Sequence, residues 1–201
     1  MNWKETLIKS TLAGIAIGIG GVIFLSVDNK VTGALLFTLG LFTICTRGYF
    51  LFTGKIGYVL KEKNYLQLVI IWLGNLLGTN LTAILMTVTR VAPALQEKAA
   101  ILSAAKTNDS YLSLFVLGIF CNILMYVAVD GFRTNTHEPG KYLGLFLCVG
   151  GFILCGFEHC IADMFYFGMA GAWNVHTILC LLVITAGNIT GGLLLPLAEK
   201  K

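Results

Sequence analysis

Six long apolar runs decide most of what this chain can become. They occupy residues 10–27, 31–52, 65–88, 111–129, 142–167 and 177–196, each bounded by charged or turn-forming residues. A helix crossing the hydrocarbon of a bilayer needs about 20 apolar residues, and each run reaches or approaches that length. The runs are too continuous for the alternating pattern of a lipid-facing barrel strand. They predict an all-α integral membrane protein with six transmembrane helices. Composition agrees, since 57% of the 201 residues are hydrophobic and 12% are charged, against about 25% charged in soluble domains. The first run follows Lys4 and Lys9, as a secretory signal would, but no small-residue cleavage site follows Val27, which predicts a retained helix.

Loop charges predict the orientation. With the N-terminus in the cytoplasm, that side carries Lys4, Lys9, Lys55, Lys61, Lys63, Arg133, Lys141, Lys200 and Lys201, and the other carries Lys30, Arg90, Lys98 and Lys106. The excess of Lys and Arg places both termini inside, in the cytoplasmic membrane. The net charge of +4 therefore reads as topology and not as a nucleic-acid surface. Cys45, Cys121, Cys148, Cys155, Cys160 and Cys180 all fall within the runs. Without a CxxC pair or further ligands they read as free thiols, so neither a disulfide framework nor a metal site is expected. No cofactor motif is present.

Leu73-Gly74-Asn75-Leu76-Leu77-Gly78 returns as Ala186-Gly187-Asn188-Ile189-Thr190-Gly191, and the same shift, Asn75 to Asn188, carries Leu51-Phe52 onto Met164-Phe165. Spans two and three then correspond to spans five and six. With an odd number of spans per half, the second half enters the membrane from the opposite side, giving two inverted three-helix repeats. A Gly-Asn pair also serves close helix packing, and that reading stands beside the repeat. The expected organisation is a single transmembrane channel domain over 1–201, with repeat one about 1–90 and repeat two about 107–201.

Arg47-Gly48 and Phe52-Thr53-Gly54-Lys55 interrupt the second run, and Gly156 interrupts the fifth. Both helices are expected to break, which is tolerated at membrane depth where backbone is buried in protein or lines a wet cavity. Thr53 and His159 are expected to face each other across the pseudo-symmetry axis. Ionisable groups inside spans cost about 2.5–3.5 kcal/mol each on insertion scales, and here they are Arg47, Glu158, His159 and Asp163. Arg47 is open to a packing role, neutralising Glu158 or Asp163. An unperturbed imidazole titrates near pH 6.5, so His159 can act as a proton relay or as an electrostatic attractor for an anion. His137 and His176 fall in loops and read as surface residues.

Gly156-Phe157-Glu158-His159-Cys160-Ile161-Ala162-Asp163-Met164-Phe165 resembles the fifth-helix signature of the formate/nitrite transporter family, G-[FY]-E-H-S-x-A-N-M. Leu51-Phe52-Thr53-Gly54 is similar to its second-helix loop, Leu117-Gly118-Ile119-Phe120-Cys121-Asn122 to its fourth-helix L-G-x-x-x-N, and Gly187-Asn188-Ile189-Thr190-Gly191-Gly192 to its sixth-helix G-N-x-x-G-G. The resemblance spans nearly the whole chain. It implies an aquaporin-like fold with broken helices two and five and a homopentamer. Each protomer would hold a pore for small monovalent anions or their conjugate acids, such as formate, nitrite or hydrosulfide. It further implies that His159 is the central pore histidine, Thr53 the threonine opposite, Asn122 a polar neighbour, Glu158 the adjacent acid and Lys106 a vestibule lysine. Leu41 and Phe152 match apolar constriction positions, with Phe37, Phe52 and Met125 as companions, and ordinary packing is the competing reading for all five.

The chain departs from the family pattern at Phe50, where an acid is usual, and at Asp163, where asparagine is usual. The shift that takes Asn75 to Asn188 also takes Phe50 to Asp163, which suggests an acid moved to its mirror position, with Arg47 available to pair with Asp163. The connection around residues 168–174 is also short. The expected mechanism has Lys106 drawing in the anion, the dry waist penalising its charge, and a proton arriving through His159 so that the neutral acid crosses. A cationic His159 passing the anion itself is the alternative. A membrane enzyme using Glu158, His159 and Cys160 is disfavoured, since adjacent helical residues point about 100° apart. A neutral-solute channel and an accessory subunit without transport remain open.

Overall fold

The structure, a computed structural model, describes residues 2–199. Lys200 and Lys201, counted above for orientation, lie outside the described residues. The described chain forms ten helices: α1 Trp3–Ser26, α2 Lys30–Arg47, α3 Phe52–Ile56, α4 Val59–Glu62, α5 Tyr65–Thr87, α6 Ala92–Thr107, α7 Tyr111–Thr134, α8 Glu138–Cys155, α9 Cys160–Met169 and α10 Val175–Ala198. Six of them, α1, α2, α5, α7, α8 and α10, are long and apolar enough to cross a membrane. Their outward faces carry exposed apolar side chains such as Ile84, Leu112, Leu147 and Val175, as a surface solvated by lipid requires.

Polar residues stand where the sequence stops being helical. Asn2, Asn29, Ser110, His137 and Asn174 each accept a backbone N–H of the first turn of the helix they precede, satisfying a donor that has no intrahelical partner. His137, expected as an ordinary surface residue, thus caps α8.

The two halves repeat closely. The caps of α1 and α7, Asn2 and Ser110, are as far apart in sequence as those of α2 and α8, Asn29 and His137. Within each half the first helix packs on the third, α1 on α5 and α7 on α10, while α2 meets α8 across the halves. The α1/α5 and α7/α10 crossings are close because small residues meet there. A Cβ on Gly14 would stand 2.9 Å from Cα of Gly78, and one on Gly118 would stand 3.2 Å from Cα of Gly187.

The second and fifth runs are broken at their glycines. The second ends its membrane helix at Arg47 instead of continuing to Phe52, and the fifth is two helices, α8 and α9. Gly48 (φ 65°) and Gly156 (φ 71°) both sit in the left-handed region that ends a helix. They are separated by the same stretch of chain as the caps, and this corrects the repeat register. The shift from Asn75 to Asn188 holds between α5 and α10, but the breaks follow the shift from Gly48 to Gly156, because the second half has a longer stretch between its break and its last asparagine. Phe50 is therefore matched by Glu158 and Lys55 by Asp163, and the expected correspondence of Phe50 with Asp163 is not present. The segment carrying Arg90, Lys98 and Lys106 is not loop throughout: residues 92–107 form α6, opened by Pro93 in its first turn, which packs along α9.

Candidate functional site

The broken backbone at each interruption is held by one asparagine. Asn75 Oδ1 accepts the Phe52 N–H at 2.9 Å, and its Nδ2 donates to the carbonyls of Ser10 at 2.8 Å and Phe50 at 2.9 Å. Asn188 does the same in the other half, accepting from Cys160 N–H at 2.9 Å and donating to the carbonyls of Gly118 and Glu158, both at 2.8 Å. Each side chain accepts one N–H and donates to one carbonyl of backbone that has left the helix, where bilayer hydrocarbon offers no substitute, and with its second donor ties the break to a neighbouring membrane helix, α1 at Ser10 and α7 at Gly118. The repeat extends to the backbone, with Phe50 N–H reaching Lys9 O and Glu158 N–H reaching Leu117 O. In the sequence Gly-Asn is visible only as a repeat; its bracing role emerges from the fold, and its recurrence in two apolar helices is the signal for it.

The braces fix what lies beside the breaks. His159 is the cap residue of α9, and its Nδ1 accepts the Ala162 N–H at 3.1 Å. With Nδ1 used as an acceptor, the hydrogen of the neutral ring sits on Nε2. Nε2 lies 2.9 Å from Thr53 Oγ1, so His159 donates and Thr53 accepts, leaving the Thr53 hydroxyl hydrogen free to turn elsewhere. The expected facing of Thr53 and His159 is thus present, and the side chains are 1% and 2% exposed. Phe152 stacks on the imidazole at 5.6 Å and 17°, and Phe37 meets Phe152 edge-on at 6.3 Å. Phe52, Leu41 and Met125 are buried in the same core. Asn122 does not bond to His159. Its Nδ2 donates to Asn188 O at 2.7 Å, and its buried Oδ1 has no partner among the described residues.

The charged residues group differently from expectation. Lys106, presented by α6, bonds to Glu158 Oε2 and lies 3.0 Å from Asp163 Oδ1, with the Tyr166 ring 5.9 Å away. Burial alone would lower the Lys106 ammonium. Asp163 and Glu158 outweigh it and hold it above the usual lysine range. The two carboxylates offset at close range the attraction Lys106 was expected to exert on an approaching anion. Arg47 is exposed at the end of α2 and forms no ion pair among the described residues. Its expected pairing with Asp163 is replaced by Lys106, because α6, not α2, lies along α9.

Two cavities flank this centre. One, of about 490 Å³, sits at the α2–α3 break and reaches Leu51, Phe50, Gly54 and Lys55, with Ile44, Cys45, Val129 and Arg133 on its walls. The other, of about 200 Å³, sits at the α8–α9 break and reaches His159, Glu158, Ala162 and Asp163, with Phe37, Phe152, Lys106 and Lys30 on its walls. They are mirror images in the repeat. The shift from Gly48 to Gly156 carries Phe50, Leu51, Gly54 and Lys55 of the first onto Glu158, His159, Ala162 and Asp163 of the second. The first mouth ends at Leu51 where the second ends at His159.

Residues 1–198 match the family described as Formate/nitrite transporter. The nitrite transporter NirC of Escherichia coli (strain K12) is 28% identical over 92% of this chain and 78% of its own length. The formate channel FocA of Haemophilus influenzae is 29% identical over 70% of this chain and 54% of its own. A solved structure described as a pentameric formate channel with formate bound superposes with a TM-score of 0.82 at 28% identity, covering 94% of this chain and 92% of that one.

Proposed function

Because the chain belongs to the formate/nitrite transporter family and is a multi-pass membrane protein, we propose that it conducts small monovalent anions as their conjugate acids, formate, nitrite or hydrosulfide among them. It does so as a homopentamer in the cytoplasmic membrane, with both termini cytoplasmic and one pore domain in each protomer. The pentamer is supported by the described assembly of the similar formate channel and the orientation by the Lys and Arg count.

The observation that carries this reading is the His159–Thr53 pair, enclosed between two mirror-related cavities and stacked under Phe152. A charged carboxylate entering so apolar a waist loses its hydration with little in return. A small neutral acid loses far less, and can accept from His159 Nε2–H or donate to Thr53. His159 works best here as a neutral donor. A relay that handed its Nε2 proton to the anion would need a replacement at Nδ1, which Ala162 N–H already occupies. The proton therefore joins the anion in the vestibule, ahead of the ring. Phe37, Phe152, Leu41, Phe52 and Met125 form the apolar constriction, and the Lys106, Glu158 and Asp163 cluster with Asn122 makes the polar wall beside it.

Stopped-flow uptake into proteoliposomes, with formate, nitrite, hydrosulfide, acetate and lactate compared at two pH values, tests the reading. The expected result is a rate ranking by molecular size, with a proton entering alongside each anion. An electrogenic anion current at full rate with no accompanying proton contradicts it. Absence of flux for every member of the series favours the accessory-subunit alternative.

A further inference from the structure

The two cavities share a backbone and differ in charge. In the α8–α9 cavity, Lys106 and the rim residue Lys30 are balanced by Glu158 and Asp163. At the matching positions of the α2–α3 cavity the repeat places Phe50 for Glu158 and Lys55 for Asp163, and Arg133 joins Lys55 on the wall. No carboxylate lines this cavity among the described residues. The nearby acids stand outside it: Asp130 accepts from the Tyr58 hydroxyl at 3.0 Å, and Glu62 faces Lys55 from a separate, much smaller recess, without an ion pair to it within 4.0 Å. Lys9, which also approaches the Phe50 ring, has its own carboxylate in Glu5 at 2.7 Å. Lys55 is half-buried above the same ring at 5.0 Å, and Arg133 lies over Tyr58 at 4.3 Å, so both cations are held by aromatic faces.

We infer that the α2–α3 cavity is the anion-capturing mouth of this protein, a site where Lys55 and Arg133 hold a small monovalent carboxylate or oxyanion before it reaches the waist. The inference deepens the transport reading above and rests on it for the identity of the ligand. Two cations on the wall of a partly enclosed, low-dielectric recess concentrate an anion more than the same charges on an open surface. The opposite mouth, its charges cancelled, lacks this attraction. In a passive pore the difference leaves the equilibrium distribution untouched and appears as unequal apparent affinity from the two sides. With both termini cytoplasmic, the capturing mouth faces the cytoplasm.

The test uses purified full-length protein in detergent and the line broadening of isotope-labelled formate as a readout of binding that does not depend on transport. Broadening by the wild type and by the exposed control Lys61→Gln, retained in Lys55→Arg and reduced about tenfold in the doubly substituted Lys55→Gln/Arg133→Gln protein, is the expected result. The singles Lys55→Gln and Arg133→Gln give intermediate losses and cover the case of a double variant that folds poorly. Broadening that is absent in the wild type, or unaltered in a folded double variant, overturns the inference whatever the flux. Broadening that behaves as expected while proteoliposomes carry no formate upholds this site and overturns the transport reading instead.

Discussion

His159 illustrates how much one ring can be asked to do. Its Nδ1 caps α9 and its Nε2 meets Thr53, so both ring nitrogens are engaged before any substrate arrives. The variant His159→Asn separates the two roles. Asparagine is a good capping residue, so α9 keeps its first-turn partner, but its short side chain cannot reach Thr53 and leaves space beneath Phe152, which should cost about 1–3 kcal/mol of stability. Formate uptake by proteoliposomes, normalised to folded protein, is expected to fall about tenfold. Uptake at the wild-type rate would remove His159 from the path. At Lys106 the arithmetic runs the other way, because the cation is shared by two buried carboxylates. Lys106→Met leaves both unneutralised and should cost about 3–5 kcal/mol, and adding Asp163→Asn should recover part of that loss. A Lys106→Met protein that unfolds at the wild-type temperature would mean that the cluster contributes nothing to stability. The sequence made His159 and Thr53 legible through their motifs, but not the partner of Asp163. Sequence spacing cannot show that α6 lies along α9, so Arg47, the nearest cation in the spans, took the place that Lys106 fills.

At the scale of elements, the two breaks were legible because glycine and charge inside an apolar run oppose a smooth membrane helix, and Gly48 and Gly156 end α2 and α8 as that argument requires. The register of the repeat was not. The identical Gly-Asn of α5 and α10 set an offset that the breaks do not share, because connections vary in length while packed helices hold their contacts. The α6 helix was hidden for a related reason, its sequence being only mildly apolar and lying between two strong spans. What the elements depend on most is the asparagine brace. Asn188→Leu strands the Cys160 N–H and the Glu158 carbonyl and cuts the tie to Gly118 in α7. At about 1–3 kcal/mol for each of the two buried unpaired groups, the expected loss is at least about 2 kcal/mol, with the α9 amides exchanging hydrogen before the rest of the second half. Asn75→Leu should loosen α3 in the same way. Amide exchange followed by mass spectrometry distinguishes a local loosening from global unfolding. Unchanged exchange at α9 in Asn188→Leu would show that the break holds without its brace.

The whole molecule is two copies of one three-helix plan turned to face opposite sides, and the copies disagree in the side chains that line their two cavities. Six spans and an inverted repeat could be read from apolar runs and recurring motifs, since bilayer thickness and backbone pairing leave few alternatives. The disagreement at the mouths could not, because it needs the true register: only when Gly48 is laid on Gly156 does Phe50 stand opposite Glu158 and Lys55 opposite Asp163. That register gives a consequence for the molecule as a whole. Asp163→Asn removes one negative charge from the balanced mouth and leaves it with a net positive wall, as the other mouth already has. Uptake measured separately from each face of oriented vesicles should then show the apparent KM for formate falling about threefold on the α8–α9 side and holding steady on the α2–α3 side, so that the two faces approach each other. The change should shrink as salt is raised toward the molar range, where the screening length drops to about 3 Å. A fall of equal size on both faces, or one indifferent to salt, would trace the effect to packing around α9 and not to the charge of its mouth.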